Sequence, residues 1–291
     1  MNKYEKSTLI VTPIVILLGY LLGIVGSSSE NQIFGIDLYL FIVLITYLIQ
    51  YIVFIPSYIF QTEKYFDITA SLTYIFITIF ASFSSIFQSI KSLTIAVMVL
   101  IWASRLGAFL FKRVHVVGKD VRFDEAKKSF IRFFGFWNLQ ALWITFTSIA
   151  ALVVITSNTD QNVDIYYFIG VVIWSIGFYF EVVSDSQKMK FKMDESNNGK
   201  FISSGLWSLS RHPNYFGEIM IWLGVAIIAF PVLSGYQYFA LSSPIFVYLL
   251  LTRASGIPIL EKNGDKKWGG QDEYEHYKSN TPILFPKIFK F

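Results

Sequence analysis

A dense group of polar residues stands directly before an apolar run in the second half of the chain. It reads Arg211-His212-Pro213-Asn214-Tyr215-Phe216-Gly217-Glu218. Pro213 suits the first turn of a helix, so the free N–H groups of a helix start would lie beside the forked guanidinium of Arg211. That combination favours a phosphate-bearing ligand. Asn214 and Glu218 are four residues apart, so they share one helix face and suit a ribose, an amide or a nearby cation.

A second group of charged residues precedes the first at helical spacing. Its members are Glu181, Asp185, Lys188 and Lys192. If this segment is one helix, all four side chains lie along one face. A charge within a membrane span is unfavourable by several kcal/mol unless it meets a partner or water. Two interpretations fit the spacing equally well: a ladder of ion pairs within one helix, or a ligand site at the membrane edge.

The elements that must position these groups are membrane-spanning helices. Of the 291 residues, 54% are hydrophobic and 15% are charged, whereas soluble domains carry about a quarter charged residues. Apolar runs of about 18 to 24 residues match the length that crosses roughly 30 Å of hydrocarbon. We therefore predict an all-α, polytopic transmembrane helical bundle of about eight spans. The predicted spans are residues 8–25, 36–60, 68–86, 92–111, 139–157, 165–183, 216–233 and 238–254.

The basic residues indicate how the spans are oriented. Of 24 Lys and Arg residues, 22 fall in the termini and in alternate loops, whereas Lys91 lies in an opposite loop and Arg105 lies within the fourth span. The positive-inside rule then predicts an even number of crossings, with both termini and both polar groups on the cytoplasmic side. Topology alone also explains basic loops, and the polar groups at helix ends are what favour a cytosolic anion site.

Composition narrows the chemistry further. The chain contains no cysteine, which excludes disulfides, thiolate nucleophiles and cysteine-based metal sites. The histidines His115, His212 and His276 are too scattered to suggest a metal cluster. The first apolar run is predicted to be a retained anchor, because no cleavage site with a soluble domain follows it. We expect membrane lipids and a lipophilic small molecule as partners and no nucleic acid, and the sequence leaves the oligomeric state open.

Both polar groups resemble motifs of one enzyme superfamily. Residues 211–218 resemble the Arg-His-Pro-Asn-Tyr-x-Gly-Asp/Glu signature of sterol reductases and of the related bacterial family with a steroid 5-alpha-reductase-type C-terminal domain. Asp185-Ser186-Gln187-Lys188-x-x-Phe191-Lys192 is similar to the sterol reductase pattern Asn-x-Gln-Lys-x-x-Phe-Arg, with Asp and Lys in place of Asn and Arg. The resemblance continues through residues 137–143 and the tail at 261–286, and the earliest spans match only as hydrophobic helices.

The resemblance implies a division of the chain and an activity. Residues 1–99 would be N-terminal helices that wall the substrate side, and residues 100–291 would be a reductase-like membrane domain with a cytosol-facing pocket. Such an enzyme takes hydride from NADPH and reduces a C=C bond in a steroid-like, polyprenyl or enoyl lipid substrate. In the family, the basic pair at the positions of Lys188 and Lys192 contacts the adenosine phosphate of NADPH.

The resemblance also implies which residues bind the cofactor. The predicted set is Asp185, Gln187, Lys188, Lys192, Arg211, His212, Asn214, Tyr215, Glu218, Tyr274 and Tyr277. Without the resemblance, the two tail tyrosines are better explained as anchors at the membrane surface. Lysine at position 192 lacks the planar fork of arginine, so its grip on a phosphate would be weaker than in the family.

The proton donor is the part of the site that the sequence identifies least well. Reduction of an activated C=C bond needs an acid or a hydrogen-bond donor at the carbonyl oxygen that stabilises the developing enolate. Steroid reductase relatives use a Glu-Tyr pair from N-terminal helices, and the early spans here contain no Glu in a comparable setting. Tyr215 is the one candidate that the motif offers.

Two other functions fit parts of the pattern. Isoprenylcysteine carboxyl methyltransferases share a related Arg-His-Pro-x-Tyr segment, and their cofactor is S-adenosylmethionine. That cofactor carries no phosphate, so the amines of Lys188 and Lys192, one helical turn apart, favour NADPH. A membrane scaffold without activity is the second alternative, and the intact polar residues Arg211, Asn214 and Glu218 argue against it.

Overall fold

The computed structural model describes residues 1–28, 31–117, 123–157 and 162–287, with the backbone alone for residues 114–117. Its helices are α1 (Lys3–Gly26), α2 (Leu38–Ile59), α3 (Phe66–Ser84), α4 (Ile90–Val117), α5 (Phe130–Thr156), α6 (Ile165–Met193), α7 (Pro213–Ala229), α8 (Ser243–Leu249), α9 (Ile257–Trp268) and α10 (Asp272–Asn280). Two short antiparallel strands, β1 (Gln32–Ile33) and β2 (Ile36–Asp37), join α1 to α2. The predicted all-α class is confirmed.

Eight helical segments in the described residues are long and apolar enough to cross a membrane, as predicted. The protein is therefore a multi-pass membrane protein. Two helices extend beyond their predicted spans, by nine residues at the start of α5 and by ten residues at the end of α6. Helix α5 begins at Phe130 rather than at residue 139, because its first turns bury Phe133 and Trp137. Helix α6 runs on past the predicted span to Met193, as the helical spacing of its charged residues indicated, and its last turns continue the buried face of the helix.

The eighth span changes helix type along its length. Residues Gly235–Ser242 form a 3₁₀ helix, α8 follows, and Leu250–Ala254 form a π-helical turn. Gly256 then adopts φ +58°, a left-handed conformation that favours glycine, directly before α9 begins. The predicted span at 238–254 therefore exists as one helical stretch, although α-helix makes up only its middle.

The chain divides into two compact units. The first contains Met1–Ile165 and Ala229–Leu241, and the second contains Tyr166–Ile228 and Ser242–Phe291. These units are defined by packing alone. The predicted functional division of the chain between residues 99 and 100 stays a prediction. All of the residues that were predicted to bind the cofactor lie in the second unit.

In the first unit, the buried helix α5 packs against α1, α2, α3 and α4. Buried amides join three of these helices. The Gln140 side chain on α5 donates to Oε1 of Gln50 on α2 at 2.8 Å, and Gln50 donates to Oγ1 of Thr73 on α3 at 3.0 Å. Because an amide in an apolar bundle is costly without partners, this network holds the helices in one register.

Lys91, the basic residue that the predicted topology leaves in an opposite loop, is also in the first unit. The Lys91 side chain is 2% exposed, and its Nζ lies 2.6 Å from Oδ2 of Asp164. An ion pair of this kind neutralises a buried amine that would otherwise be strongly unfavourable. Lys91 is therefore accounted for by a specific partner.

In the second unit, glycines bring the backbones of α6 and α7 into direct contact. Gly170 and Gly177 on α6 lie against Gly224 and Gly217 on α7. A methyl group at residue 177 would lie 2.7 Å from the carbonyl oxygen of Gly217, and one at residue 217 would lie 2.6 Å from the carbonyl oxygen of Gly177. Small residues at such a seam allow close van der Waals packing in a membrane, where no hydrophobic force drives helices together.

We expect Gly217→Ala to lower the unfolding temperature in detergent clearly. The added methyl group meets backbone atoms that cannot rotate away, and overpacking of this kind costs about 1–3 kcal/mol. Val172→Ile is the matched control, because it adds the same methyl group to an exposed position of α6 that is 58% accessible. Equal unfolding temperatures for the two variants would contradict the seam.

Candidate functional site

A cavity of about 390 Å³ lies within the second unit. Its lining comes from the C-terminal end of α6, the connecting segment at residues 197–202, the two residues directly before α7, and helices α9 and α10. Its size lies within the range of about 300–1,000 Å³ that is typical of small-molecule sites. The lining includes six of the predicted cofactor-binding residues: Lys188, Lys192, Arg211, His212, Tyr274 and Tyr277.

The other five predicted residues lie behind or beside this lining. Gln187 accepts a hydrogen bond from the backbone N–H of Leu206 at 3.0 Å, which fixes the turn before α7. Asn214 donates from Nδ2 to Oδ1 of the buried Asp185 at 3.3 Å and so joins α7 to α6. The remaining two residues of the predicted set, Tyr215 and Glu218, are half-buried on α7.

The charged stripe predicted on α6 does lie on one helix, as the spacing indicated. Glu181 and Asp185 are buried, and a methyl group on Gly217 of α7 would touch the backbone N of Glu181 at 2.6 Å. Lys188 places its Nζ 4.4 Å from the centre of the Trp207 ring, a cation–π contact at the cavity wall. The stripe therefore passes from buried carboxylates at the glycine seam to amines at the cavity.

Glu261 on α9 joins the two residues that open the Arg-His-Pro motif. Its Oε1 lies 2.8 Å from Nε2 of His212, and its Oε2 lies 2.7 Å from Nη1 of Arg211. The contact with Arg211 is an ion pair by distance, although the N–H direction is poor for a hydrogen bond. The sequence prediction did not include Glu261 among the site residues. The one feature of the sequence that pointed to it is its position at the start of the C-terminal tail, which resembles the family.

Burial and the contact with Glu261 together determine the protonation state of His212. The side chain is 5% exposed, and burial lowers the pKa of His212 below its ordinary value, against the raising effect of Glu261. The imidazole is therefore neutral at pH 7. Because a carboxylate only accepts, Nε2 carries the proton and Nδ1 presents a lone pair. No described residue donates to Nδ1, and none accepts from the buried Nε–H of Arg211.

The start of α7 is held by the C-terminal tail. Pro213 is the first residue of the helix, as predicted. The backbone N–H of Arg211 donates to the carbonyl oxygen of Pro282 at 2.9 Å, and Oγ of Ser210 donates to the carbonyl oxygen of Leu284 at 2.8 Å. Ser210 also accepts from the N–H of His212 at 3.1 Å. The C-terminal tail therefore helps to position the Arg-His-Pro motif, and both the tail and the motif lie in the part of the chain that resembles the reductase family.

The tail tyrosines are tied to the protein through their hydroxyl groups. Tyr277 donates to the carbonyl oxygen of Trp207 at 2.7 Å, and Tyr274 donates to Oδ1 of Asp265 at 3.1 Å. Burial is the main cause that raises the pKa of Tyr274 to about 12, and burial also raises the pKa of Tyr277. Both phenols are therefore neutral at pH 7, and each already donates its proton within the protein.

The sequence prediction also missed the segment that covers one side of the cavity. Residues 194–202 connect α6 to the turn before α7, and we call them the strap. Nε1 of Trp268 on α9 donates to the carbonyl oxygen of Gly199 at 2.5 Å, and Nδ2 of Asn197 donates to that of Phe191 at 3.2 Å. Gly199 has φ +84°, so the Asn198-Gly199 turn was a usable signal for a tight loop.

Comparison with known proteins places the chain in a family. A family model described as "Protein of unknown function (DUF1295)" matches residues 53–281. The chain belongs to the DUF1295 family. The match begins in α2, further towards the N-terminus than the motif resemblance, which began near residue 100. It therefore includes α3 to α10 and every predicted cofactor-binding residue.

Two curated relatives of the chain are named steroid 5-alpha-reductases, the superfamily that its motifs resemble. The chain is 31% identical over 121 residues to the steroid 5-alpha-reductase DET2 of Solanum lycopersicum, a match that covers 42% of each chain. It is 38% identical over 63 residues to the steroid 5-alpha-reductase DET2 of Arabidopsis thaliana, covering 21% of this chain and 24% of the relative. The chain thus spans less than half the length of these relatives. These matches confirm the predicted superfamily. No solved structure matches the chain.

The state of His212 predicts a pH dependence of stability. The folded protein resists protonation of this buried ring, whereas the unfolded chain takes up a proton near the ordinary histidine pKa of about 6.5. The stabilisation is present above that pH and is lost as the pH falls below it. We expect the unfolding temperature to fall between about pH 7.5 and pH 5.5, and to fall less in His212→Gln than in the unmodified protein. Identical losses would contradict a neutral, buried His212.

Proposed function

We propose that this protein is a membrane reductase that transfers hydride from NADPH to a C=C bond of a lipophilic substrate. The observation that carries the proposal is the convergence of Lys188, Lys192 and Arg211 on one cavity beside aromatic side chains. Cationic groups of this kind suit the phosphates of a dinucleotide. The two relatives that are named steroid 5-alpha-reductases support the reaction class.

The residues at the cavity fit the cofactor by their own chemistry. The buried Nδ1 of His212 and Nε of Arg211 have no partner among the described residues, which is costly unless a ligand supplies one. When bound, NADPH supplies the hydride. Lys188, Lys192 and Arg211 would bind its phosphates, and the burial of the start of α7 would exclude water from the reacting end.

The substrate and the proton donor are the finer parts of the proposal. Steroid-like, polyprenyl and enoyl lipids all suit a multi-pass membrane protein, because each reaches the site from the bilayer. Tyr215 remains the proposed donor to the carbonyl oxygen of such a substrate. Its ring stacks on His212, with ring centres 5.7 Å apart and planes inclined by 11°. That stacking fixes the ring at the first turn of α7.

The proposed orientation places both termini and the cavity in the cytoplasm, where NADPH is present. It rests on the distribution of the basic residues. A reporter inserted at Ser234, between α7 and the 3₁₀ helix at Gly235–Ser242, should read as external, and one at the C-terminus should read as cytoplasmic. The second insertion point of the predicted topology, Asn158, lies outside the described residues. A cytoplasmic signal at Ser234 would overturn the orientation.

We expect Lys192→Ala to weaken NADPH binding roughly tenfold or more and to leave NADH binding nearly unchanged. A charge-assisted contact with the additional phosphate of NADPH is worth about 1.5–3 kcal/mol. Lys190→Ala is the matched control, because Lys190 is exposed on the same helix and does not line the cavity. Calorimetric titration of the purified protein in mild detergent measures each affinity.

Three results of that titration would count against the proposal. Equal losses for NADPH and NADH would remove the phosphate role of Lys192. Tight binding of S-adenosylmethionine by the unmodified protein, with no binding of NADPH, would assign the chain to the methyltransferase alternative. Binding of neither cofactor would favour the scaffold alternative.

A further inference from the structure

The tail ends in a segment, residues 281–287, whose outer face is apolar and basic, and we call it the end segment. Ile283 is 44% exposed, Phe285 is 64% exposed, and Lys287 is exposed as well. Leu284, between the two apolar residues, is 3% exposed. Two large apolar groups beside one amine suit the boundary between acyl chains and lipid headgroups, where the apolar groups leave water and the amine meets phosphate.

The inner side of the end segment is bonded to the residues that precede α7. Its first half accepts the hydrogen bonds that Arg211 and Ser210 donate to carbonyl oxygens of the tail. At its other end, the backbone N–H of Lys287 donates to the carbonyl oxygen of Leu209 at 2.9 Å. The backbone is therefore held on both sides of Phe285, so this ring is exposed at a fixed position of the fold.

The ring of Phe285 continues a surface that faces lipid. Its centre is 6.2 Å from that of Phe216 on α7, and the centre of Phe216 is 5.1 Å from that of Phe180 on α6. The outer face of α6 that leads to Phe180 is apolar and exposed, with Val172 at 58% and Tyr179 at 57%. Both helices are long and apolar enough to cross a membrane, so this face contacts acyl chains.

We propose that the end segment lies in the membrane interface beside the start of α7, with Ile283 and Phe285 among the acyl chains and Lys287 at a lipid phosphate. The series of rings joins the segment to the lipid-facing surface, and the amine complements anionic headgroups. Through its inner side the same segment holds residues 209–211, so contact with the membrane positions the Arg-His-Pro motif. The inference goes beyond the proposed function and does not depend on it.

Spin labels test where the end segment lies. The chain contains no cysteine, so a single introduced cysteine carries the label. Ile283→Cys and Phe285→Cys are labelled in the full chain, reconstituted in vesicles of phosphatidylcholine and phosphatidylglycerol. Power saturation in electron paramagnetic resonance compares collisions with oxygen, which concentrates among acyl chains, and with a nickel chelate, which stays in water. Val172→Cys is the lipid-facing control, and Glu273→Cys, exposed on α10, is the aqueous control.

We expect the labels at positions 283 and 285 to collide more with oxygen than with the nickel chelate, as the label at position 172 does. Collisions mainly with the chelate, as at position 273, would place the end segment in water and overturn the proposal. Protection from both reagents would overturn it too, because a second copy or another part of the chain would then cover the segment.

A second labelling experiment tests whether membrane contact holds the motif. Ser208→Cys places the label at an exposed position directly before the residues that are bonded to the end segment. We expect Phe285→Ser to make this label clearly more mobile, because a hydroxyl group does not hold the segment among acyl chains, and Phe285→Leu to leave it unchanged. Phe83→Ser is the matched control, because it removes a phenyl ring that is 85% exposed at the end of α3.

Equal label mobility in Phe285→Ser and Phe83→Ser would overturn the link between the membrane and the motif. Neither experiment uses a nucleotide, so the outcomes separate this proposal from the proposed function. Contact of position 285 with water would overturn the membrane contact and leave the reductase proposal standing. Oxygen collisions at position 285 in a protein that binds no NADPH would support the membrane contact and count against the reductase.

Discussion

The contact between the backbones of α6 and α7 is the constraint on which the candidate site depends. Gly177 and Gly217 leave no room for a side chain between the two helices, so neither helix can rotate or slide without a clash. The next turns of the same faces carry Asp185 on α6 and Asn214 on α7, which hydrogen-bond across the seam. A polar pair between two packed helices is stable only if its partners are held in place, and the glycine contact holds them.

From the seam outwards, several polar groups of the second unit are held by neighbours on other elements. Gln187 on α6 holds the turn at Leu206, Trp207 donates to the carbonyl oxygen of Ser184 at 3.0 Å, and the tail holds Ser210. These contacts converge on the short segment before α7. The segment is therefore rigid where it presents Arg211 and His212, as a site that must keep its geometry requires.

Much of the fold and part of the site could be predicted from local sequence patterns. The eight spans follow from hydrophobic length, the extension of α6 from the helical spacing of its charges, and the start of α7 from Pro213. These features depend on neighbours within a few turns. Sequence reasoning missed Glu261, Lys267 and Trp268 as residues that line the cavity, because they reach it only when α9 folds against the segment before α7. The strap was missed for the same reason, since the position of Phe201 is set by rings far along the chain.

The same long-range packing bears on the proton donor. Tyr274 and Tyr277 line the cavity, but their hydroxyl protons are already donated to Asp265 and to Trp207. Gly256 approaches the Tyr215 ring so closely that a methyl group there would lie 3.0 Å from Cε2. Its left-handed backbone lets the chain turn from the π-helical segment into α9 while passing over that ring. Glu261 thus contacts His212 at Nε2 while Tyr215 stacks on the same ring, so the proposed binding residues and the proposed donor are held by one turn of the chain.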